Sequence, residues 1–298
     1  MSLVHRQLAH PVSFFMIAQE SSTKNRPPIK VRVRRQDGPG QEPYWQLFSV
    51  PHEAEMNVIS ILQRIAAIGK TVDGQKVAPV AWDCGCLEEV CGSCTMVING
   101  RVRQSCSALV ERLLADQPDE IVLEPMSKFP VVRDLMVDRS RLFHSLKRVK
   151  AWVPVDSYYN MGPGERQSRK QQEYNYPLSQ CMSCGCCLEA CPQFLKVEVE
   201  REPGETEEAF EERKQAAYNK GFIGAHAISQ AMLFNNHPTG KALADDRLGA
   251  LTGTGGVQVC GNAQNCVAVC PKEIPLTRSI ARAGRSATFY MLKRMFDR

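Results

Sequence analysis

Long apolar runs are missing from this chain of 298 residues. The longest, Val12 to Ala18, is broken by Ser13, far below the roughly 20 residues that a membrane-spanning helix needs, so the chain is not expected to cross a bilayer by itself. Few basic groups precede that run and no clear small-residue cleavage site follows it, which argues against a secretory signal and leaves residues 1–28 as a flexible extension. Aromatics are scarce at 7%, and charge of neither sign dominates: 37 Lys and Arg stand against 32 Asp and Glu, with no long basic stripe. Nucleic acid is therefore not an expected partner. The C-x-x-C-H signature of covalent haem attachment is absent. Gly253-x-Gly255-Gly256 follows no clear strand, so it is not a dinucleotide fingerprint, and Gly162-Pro163-Gly164 reads as a turn.

Cysteine is what the chain has in excess. Its 13 cysteines sit mostly in tight C-x2-C clusters rather than at scattered loop spacings, which favours metal ligation in a reducing compartment over a disulfide framework.

The periodicity divides the chain in two. Ile29 to Arg35 alternates apolar and basic residues, and Tyr44 to Val50 is β-prone, so the chain opens on a pair of strands. Asn57 is a candidate N-cap for a helix carrying Val58, Ile61, Leu62 and Ile65 on one face and stopping at Gly69. Thr95 to Ile98, Asn99-Gly100 and Arg101 to Arg103 read as a hairpin, because Asn-Gly suits the two positive φ values of a type I′ turn, and Ile121 to Leu123 adds a strand. From Asp138 the pattern is helical, with stripes at Leu142, Leu146 and Val149 and at Ala225, Ile228, Ala231 and Met232. The expected organisation is α+β: an extension 1–28, a small α+β domain 29–137, and an α-helical domain 138–298. Tyr158 to Tyr176 reads as an ordered loop. Val197 to Lys220, with eight Glu and four basic residues, reads as a solvated surface insertion with one helix.

Cys86-x4-Cys91-x2-Cys94, followed by Cys106, has the order that places four thiolates around a 2Fe-2S cluster. A four-cysteine zinc site is the alternative, but it normally shows two C-x2-C pairs. Gly92 and Ser93 are small enough to let backbone amides approach the cluster sulfurs, and Cys84 does not fit the spacing. Cys181-x2-Cys184-x2-Cys187-x3-Cys191-Pro192 is a complete bacterial-ferredoxin run, whose fourth Cys ligates the other cluster. Its counterpart, Cys260-x5-Cys266-x3-Cys270-Pro271, lacks one thiolate because Ala263 stands where a Cys would complete it. The crossing rule assigns Cys181, Cys184, Cys187 and Cys270 to one cluster, and Cys191, Cys260 and Cys266 to the other. A cubane corner without a thiolate readily loses its iron, so the expectation is 4Fe-4S for the first and 3Fe-4S for the second. Cys186 is spare and expected to pack as a small apolar group. His144, His226 and His237 are expected to be packed or solvent-facing, since thiolates account for every cluster site. No general acid or base is assigned. Without iron, the second domain is expected to lose its compact state. Three one-electron centres make an electron-conducting chain, and two-electron substrate chemistry falls to a partner, most simply a flavoprotein.

This order of clusters resembles the iron-sulfur subunits of succinate dehydrogenase and fumarate reductase over residues 29 to 285. The resemblance rests on Cys86-Leu-Glu-Glu-Val-Cys91-Gly-Ser-Cys94-Thr-Met-Val-Ile-Asn-Gly, Phe129-Pro-Val-Val-Arg-Asp-Leu135, the Cys181 run, and Cys260 through Cys270-Pro271. Trp82-Asp83-Cys84, His237-Pro238-Thr239-Gly240 and Asn262-Ala263-Gln264-Asn265-Cys266 look most like the Gram-positive, menaquinone-linked form. The resemblance implies a β-grasp ferredoxin-like first domain, a flavoprotein partner with covalent FAD and the dicarboxylate site, and a membrane anchor with quinone and haem b. It implies a peripheral place on the cytoplasmic face of the cell membrane. Electrons would run from succinate through FAD and the three clusters to quinone, or in reverse for a fumarate reductase. Other flavin-linked dehydrogenases with paired cubanes generally keep two complete runs, and a purely structural role for the clusters sits poorly with a three-thiolate site. Relatives often carry a Trp pair after the first Cys-Pro and a His after the first Cys of the second run. Leu195, Lys196 and Gly261 stand there instead, which points to a quinone site built mainly by the anchor. Lys272 to Arg298 holds seven Lys or Arg and is open to two readings, a face toward anionic headgroups or a solvated face.

Overall fold

Alternation of Ile29, Val31 and Val33 buries every second side chain of the first strand, and the first sheet is built around that face. The computed structural model describes residues 26–154 and 166–296. Strand β1 (Ile29–Arg35) pairs antiparallel with β2 (Tyr44–Val50), and helix α1 (Val58–Ile68) follows. The Asn57 side chain accepts from the Ser60 amide at 2.9 Å, and Gly69, at φ 62, donates its own amide to Ile65 O. A cap of this kind contributes about 1 kcal/mol. Next come β3 (Thr95–Ile98), β4 (Arg101–Gln104), α2 (Val110–Asp116) and β5 (Ile121–Glu124), giving one mixed sheet of order β2-β1-β5-β3-β4 in which β1 and β5 run parallel. Asn99 and Gly100 turn β3 into β4 with φ of 49° and 73°, the type I′ geometry expected of that pair. A small hairpin, β6 (Val131–Arg133) and β7 (Met136–Val137), closes this half.

The hairpin's turn residue, Asp134, is fully buried against Arg35, with Arg35 Nε donating to Oδ1 at 2.7 Å. The same carboxylate accepts the amides of Gln36 at 3.2 Å and Ala81 at 2.8 Å. A buried charge pair of this kind is tolerated only when such donors complete it.

Helices then take over: α3 (Ser140–Arg148), α4 (Arg169–Ser179), α5 (Cys186–Glu189), α6 (Glu207–Lys220), α7 (Gly224–Asn236), α8 (Ala244–Thr252), α9 (Asn265–Ala268) and α10 (Leu276–Phe296). α7 is the hub, burying Ala225, Ala227, Ile228, Ala231 and Met232 against α4, α8 and α10. The second core also takes Val102, Met126, Phe129 and Val137 from the first half, so the two halves share apolar packing. The fully buried Arg247 ties this half together by donating to Lys150 O, Asn235 Oδ1, Gly240 O and Trp152 O.

Two expectations need correction. Part of the segment read as a loop from Tyr158 to Tyr176 is helix: α4 starts at Arg169 behind a capping box in which Ser168 and Gln171 exchange hydrogen bonds. Gly162-Pro163-Gly164 and most of the extension 1–28 lie outside the described residues. The acidic insertion does contain one helix, α6, but its end is docked rather than solvated. Lys214 Nζ meets Asp138 Oδ2 at 3.0 Å, and the buried Tyr218 shares a 3.1 Å hydrogen bond with Ser140.

Candidate metal centres

The segment from Cys84 to Cys94 is held open by positive φ at Leu87, Glu89 and Gly92, which turns its amides inward. Cys86 Sγ accepts from the amides of Glu88, Val90 and Cys91 at 3.2–3.3 Å, and Cys91 Sγ accepts from those of Cys86 and Ser93 at 3.3 and 3.5 Å. The Cys86 amide, with the Ser93 hydroxyl and amide, pulls the Cys91 thiol down to about 6. Cys94 and Cys106 are buried below the loop, and desolvation together with the Cys94 thiol pushes Cys106 up to about 11. Cys86 and Cys91 are joined by amide-to-sulfur hydrogen bonds, and Cys94, three residues on in the same loop, packs with Cys106 beneath it, so the four sequence-predicted residues come together with two sulfurs near the surface and two inside. Cys84 is exposed.

The other two sets line two cavities of about 20 Å³ each. Cys181, Cys184, Cys187 and Cys270 border one, and Cys191, Cys260 and Cys266 border the other. The last cysteine of each run has thus changed places, as the crossing rule requires. The backbone explains why. Ser183 and Gly185 have φ of 52° and 87° before the one-turn helix α5, and Asn262 and Gln264 have φ of 54° and 62° before the one-turn helix α9. The two runs are the same motif repeated, and Ala263 occupies in the second the place that Cys184 occupies in the first. Asn265 Nδ2 donates to Ala190 O at 3.0 Å and locks the repeats together.

The donor chemistry fits iron-sulfur centres. Cys187 is buried, and desolvation plus the neighbouring thiols of Cys184, Cys181 and Cys270 push it well above its ordinary value. Desolvation likewise raises Cys181, Cys270 and Cys266. Several sulfurs crowded into an apolar cavity cannot all ionise without a positive centre among them. Among the described residues no three His, Cys, Asp or Glu converge on a single-ion position. The thiols of the Cys181 and Cys191 sets ring cavities, whereas zinc ligands crowd one point at about 2.3 Å.

Two neighbours, Gln104 and Arg139, are not marked in the sequence, while Cys186 and the three histidines are. Cys186 packs in the apolar core and borders the Cys181 cavity as expected, and it also has polar contacts: Gln104 Nε2 donates to its sulfur at 3.3 Å, and its thiol and amide hold Cys184 down at about 7. Arg139 donates to Gly92 O at 2.6 Å and to Ser93 O, joining the first loop to the helical half. His226 borders the Cys181 cavity, where burial depresses it to about 4 and its Nε2 lies 3.2 Å from Leu142 O. His144 pairs with Asn219, and His237 caps a turn by accepting from the Thr239 and Gly240 amides. No spacing signal marks Gln104 or Arg139, because each reaches its sulfur neighbours across the fold.

Residues 30–144 match the 2Fe-2S iron-sulfur cluster binding domain family, and residues 177–274 match the 4Fe-4S dicluster domain family. The succinate dehydrogenase iron-sulfur subunit of Bacillus subtilis is 46% identical over 268 residues, covering 90% of this chain and 96% of that protein. This chain belongs to the family of succinate dehydrogenase iron-sulfur subunits. The fumarate reductase iron-sulfur subunit of Haemophilus influenzae is more distant, 28% identical over 265 residues, with 84% and 89% covered. A chain of the Mycobacterium smegmatis Sdh1 complex in its apo form shares the fold, with a TM-score of 0.62 over 88% of this chain and 96% of that one, at 22% identity. As a succinate dehydrogenase iron-sulfur subunit, the chain combines an N-terminal 2Fe-2S ferredoxin domain with a helical dicluster region and serves an oxidoreductase complex. No described helix is long and apolar enough to cross a membrane.

Where such subunits often carry a Trp pair and a His, this chain has an exposed Leu195, a Lys196 ion-paired with Glu198, and Gly261. A Cβ at 261 would stand 2.8 Å from Gln193 Nε2, so Gln193 fills the space a side chain would need.

Proposed function

We propose that the chain is the electron-transfer subunit of a succinate:menaquinone oxidoreductase. In this reading Cys86, Cys91, Cys94 and Cys106 hold a 2Fe-2S cluster in the unit up to about residue 137. In the unit from 138, Cys181, Cys184, Cys187 and Cys270 hold 4Fe-4S, while Cys191, Cys260 and Cys266 hold 3Fe-4S. The partners are a flavoprotein carrying FAD and a membrane anchor carrying the quinone site and haem b, with this subunit peripheral on the cytoplasmic face. When bound, the clusters supply one-electron redox chemistry that carries electrons from the flavin toward quinone.

The chain's own residues serve that chemistry by position. The amides that donate to Cys86 and Cys91 fix both sulfurs on the exposed side of the first site, and burial of Cys94 and Cys106 keeps water from the other side. The carrying observation is the exchange of Cys191 and Cys270 between two repeated loops, with Ala263 at the missing ligand position. Leu195, Lys196 and Gly261 support a quinone site made mainly by the anchor.

Succinate added to membranes that hold the assembled complex is expected to reduce the clusters, seen as loss of an oxidised 3Fe signal and growth of a 2Fe signal in electron paramagnetic resonance. Reduction by dithionite without any response to succinate would contradict the proposal.

A further inference from the structure

The 2Fe-2S loop and the first cubane loop meet closely. A Cβ on Gly92 would lie 2.6 Å from Cys184 Cα and 2.7 Å from Cys184 Cβ. One side chain from a third element enters this junction. Arg139, the residue before α3, places two guanidinium N–H groups on the carbonyls of Gly92 and Ser93, which carry no net charge. Its Nε is buried with no hydrogen-bond partner. Ser93 directly precedes Cys94 of the first site and Gly92 lies against Cys184 of the second, so the guanidinium stands at the junction of the two sites, where burial opposes its charge and Asp83 and the nearby thiols favour it.

From this geometry we infer that Arg139 is a positioning and potential-setting residue for the first two centres. Its carbonyl bonds fix the 2Fe-2S loop against Cys184, and its permanent charge, held in a low-dielectric junction, raises the reduction potential of both clusters. Reduction adds one negative charge to a centre, and a nearby buried cation stabilises that added charge. The third site draws none of its ligands from the residues Arg139 faces, so it should feel the charge least. The inference rests on the cluster assignments proposed above.

The test is potentiometric electron paramagnetic resonance on the assembled complex, in wild type, Arg139→Lys and Arg139→Gln. Both variants keep a donor for the Gly92 carbonyl, and only the lysine keeps the charge. Arg139→Gln should lower the reduction equilibrium of the 2Fe-2S and 4Fe-4S centres tenfold or more, about 59 mV for a one-electron couple, with the 3Fe-4S centre within threefold of wild type. Arg139→Lys should stay within threefold of wild type at all three. Unshifted potentials in the glutamine variant would overturn the inference, as would equal shifts in both variants. Loss of the 2Fe-2S signal in both would also overturn it, by leaving Arg139 a clamp without a separable charge effect. A wild type lacking the 2Fe-2S or 4Fe-4S signals would instead sink the underlying assignment.

Discussion

Replacing Gly92 by alanine tests whether the 2Fe-2S loop and the Cys181 loop touch at the backbone. Gly92 has φ 71, and its added Cβ would meet Cys184 Cα, Cβ and N at 2.6, 2.7 and 3.1 Å. None of these atoms belongs to a flexible side-chain end, so either the loop or the cubane segment must shift. Gly100 is the internal control, since its φ of 73 imposes the same left-handed strain while nothing lies within 4 Å of its Cβ position. Strain alone costs about 1–2 kcal/mol, and forced overpacking adds about 1–3 kcal/mol. The melting temperature of the purified complex, at one scan rate, should therefore fall by roughly 5–15 °C for Gly92→Ala and roughly 2–5 °C for Gly100→Ala. Gly92→Ala should also lose 2Fe-2S signal relative to the control. Equal shifts and equal cluster content in the two variants would refute the close approach of Gly92 to Cys184.

Removing one partner of the buried Arg35–Asp134 pair leaves an uncompensated charge in the first core, so Asp134→Leu should destabilise by about 3–5 kcal/mol in denaturant unfolding, with part of the loss recovered in Arg35→Met/Asp134→Leu. No recovery in the double variant would contradict this reading. The Asp138 carboxyl is disfavoured by its burial, but the Ser140 amide and hydroxyl and the Lys214 ammonium outweigh that and hold it below its ordinary value. A carboxyl with a depressed folded pKa stabilises above its unfolded pKa and loses that contribution as pH falls through the folded one. Hydrogen exchange in α6 should thus rise as pH drops below about 4, and Asp138→Asn should flatten that dependence; an unchanged profile would contradict the docking role given to Lys214.

Local chemistry was well written in the sequence. Asn57, Gly69, Asn99 and Gly100 each act through their own backbone conformation, and each does in the structure what its residue type predicts. The cysteine spacings were legible for a related reason: a ligand loop is a short stretch whose geometry its own residues decide, and the repeat of Cys181–Cys191 in Cys260–Cys270 extends that logic across the fold. What stayed hidden depends on long-range packing. Nothing near Arg139 in the chain reveals that it bonds Gly92, and nothing near Cys186 reveals the amide of Gln104. Composition misled in two places. Gln, Pro and charge around Arg169 suggested a loop, although Ser168 and Gln171 already formed a helix-starting pair. Eight Glu in the insertion suggested a fully solvated excursion, although Tyr218 supplied a residue that α3 could bury.

The central claim is that Ala263 leaves the second repeat one thiolate short, so that Cys191, Cys260 and Cys266 hold a three-iron centre beside a complete cubane. Ala263→Cys in the assembled complex tests it most directly, with oxidised and stepwise-reduced electron paramagnetic resonance spectra. The account predicts an oxidised 3Fe signal in wild type that is lost or diminished in the variant as a second reducible cubane appears. Two cubanes and no 3Fe signal in wild type, or a 3Fe signal unchanged by the new cysteine, would contradict it.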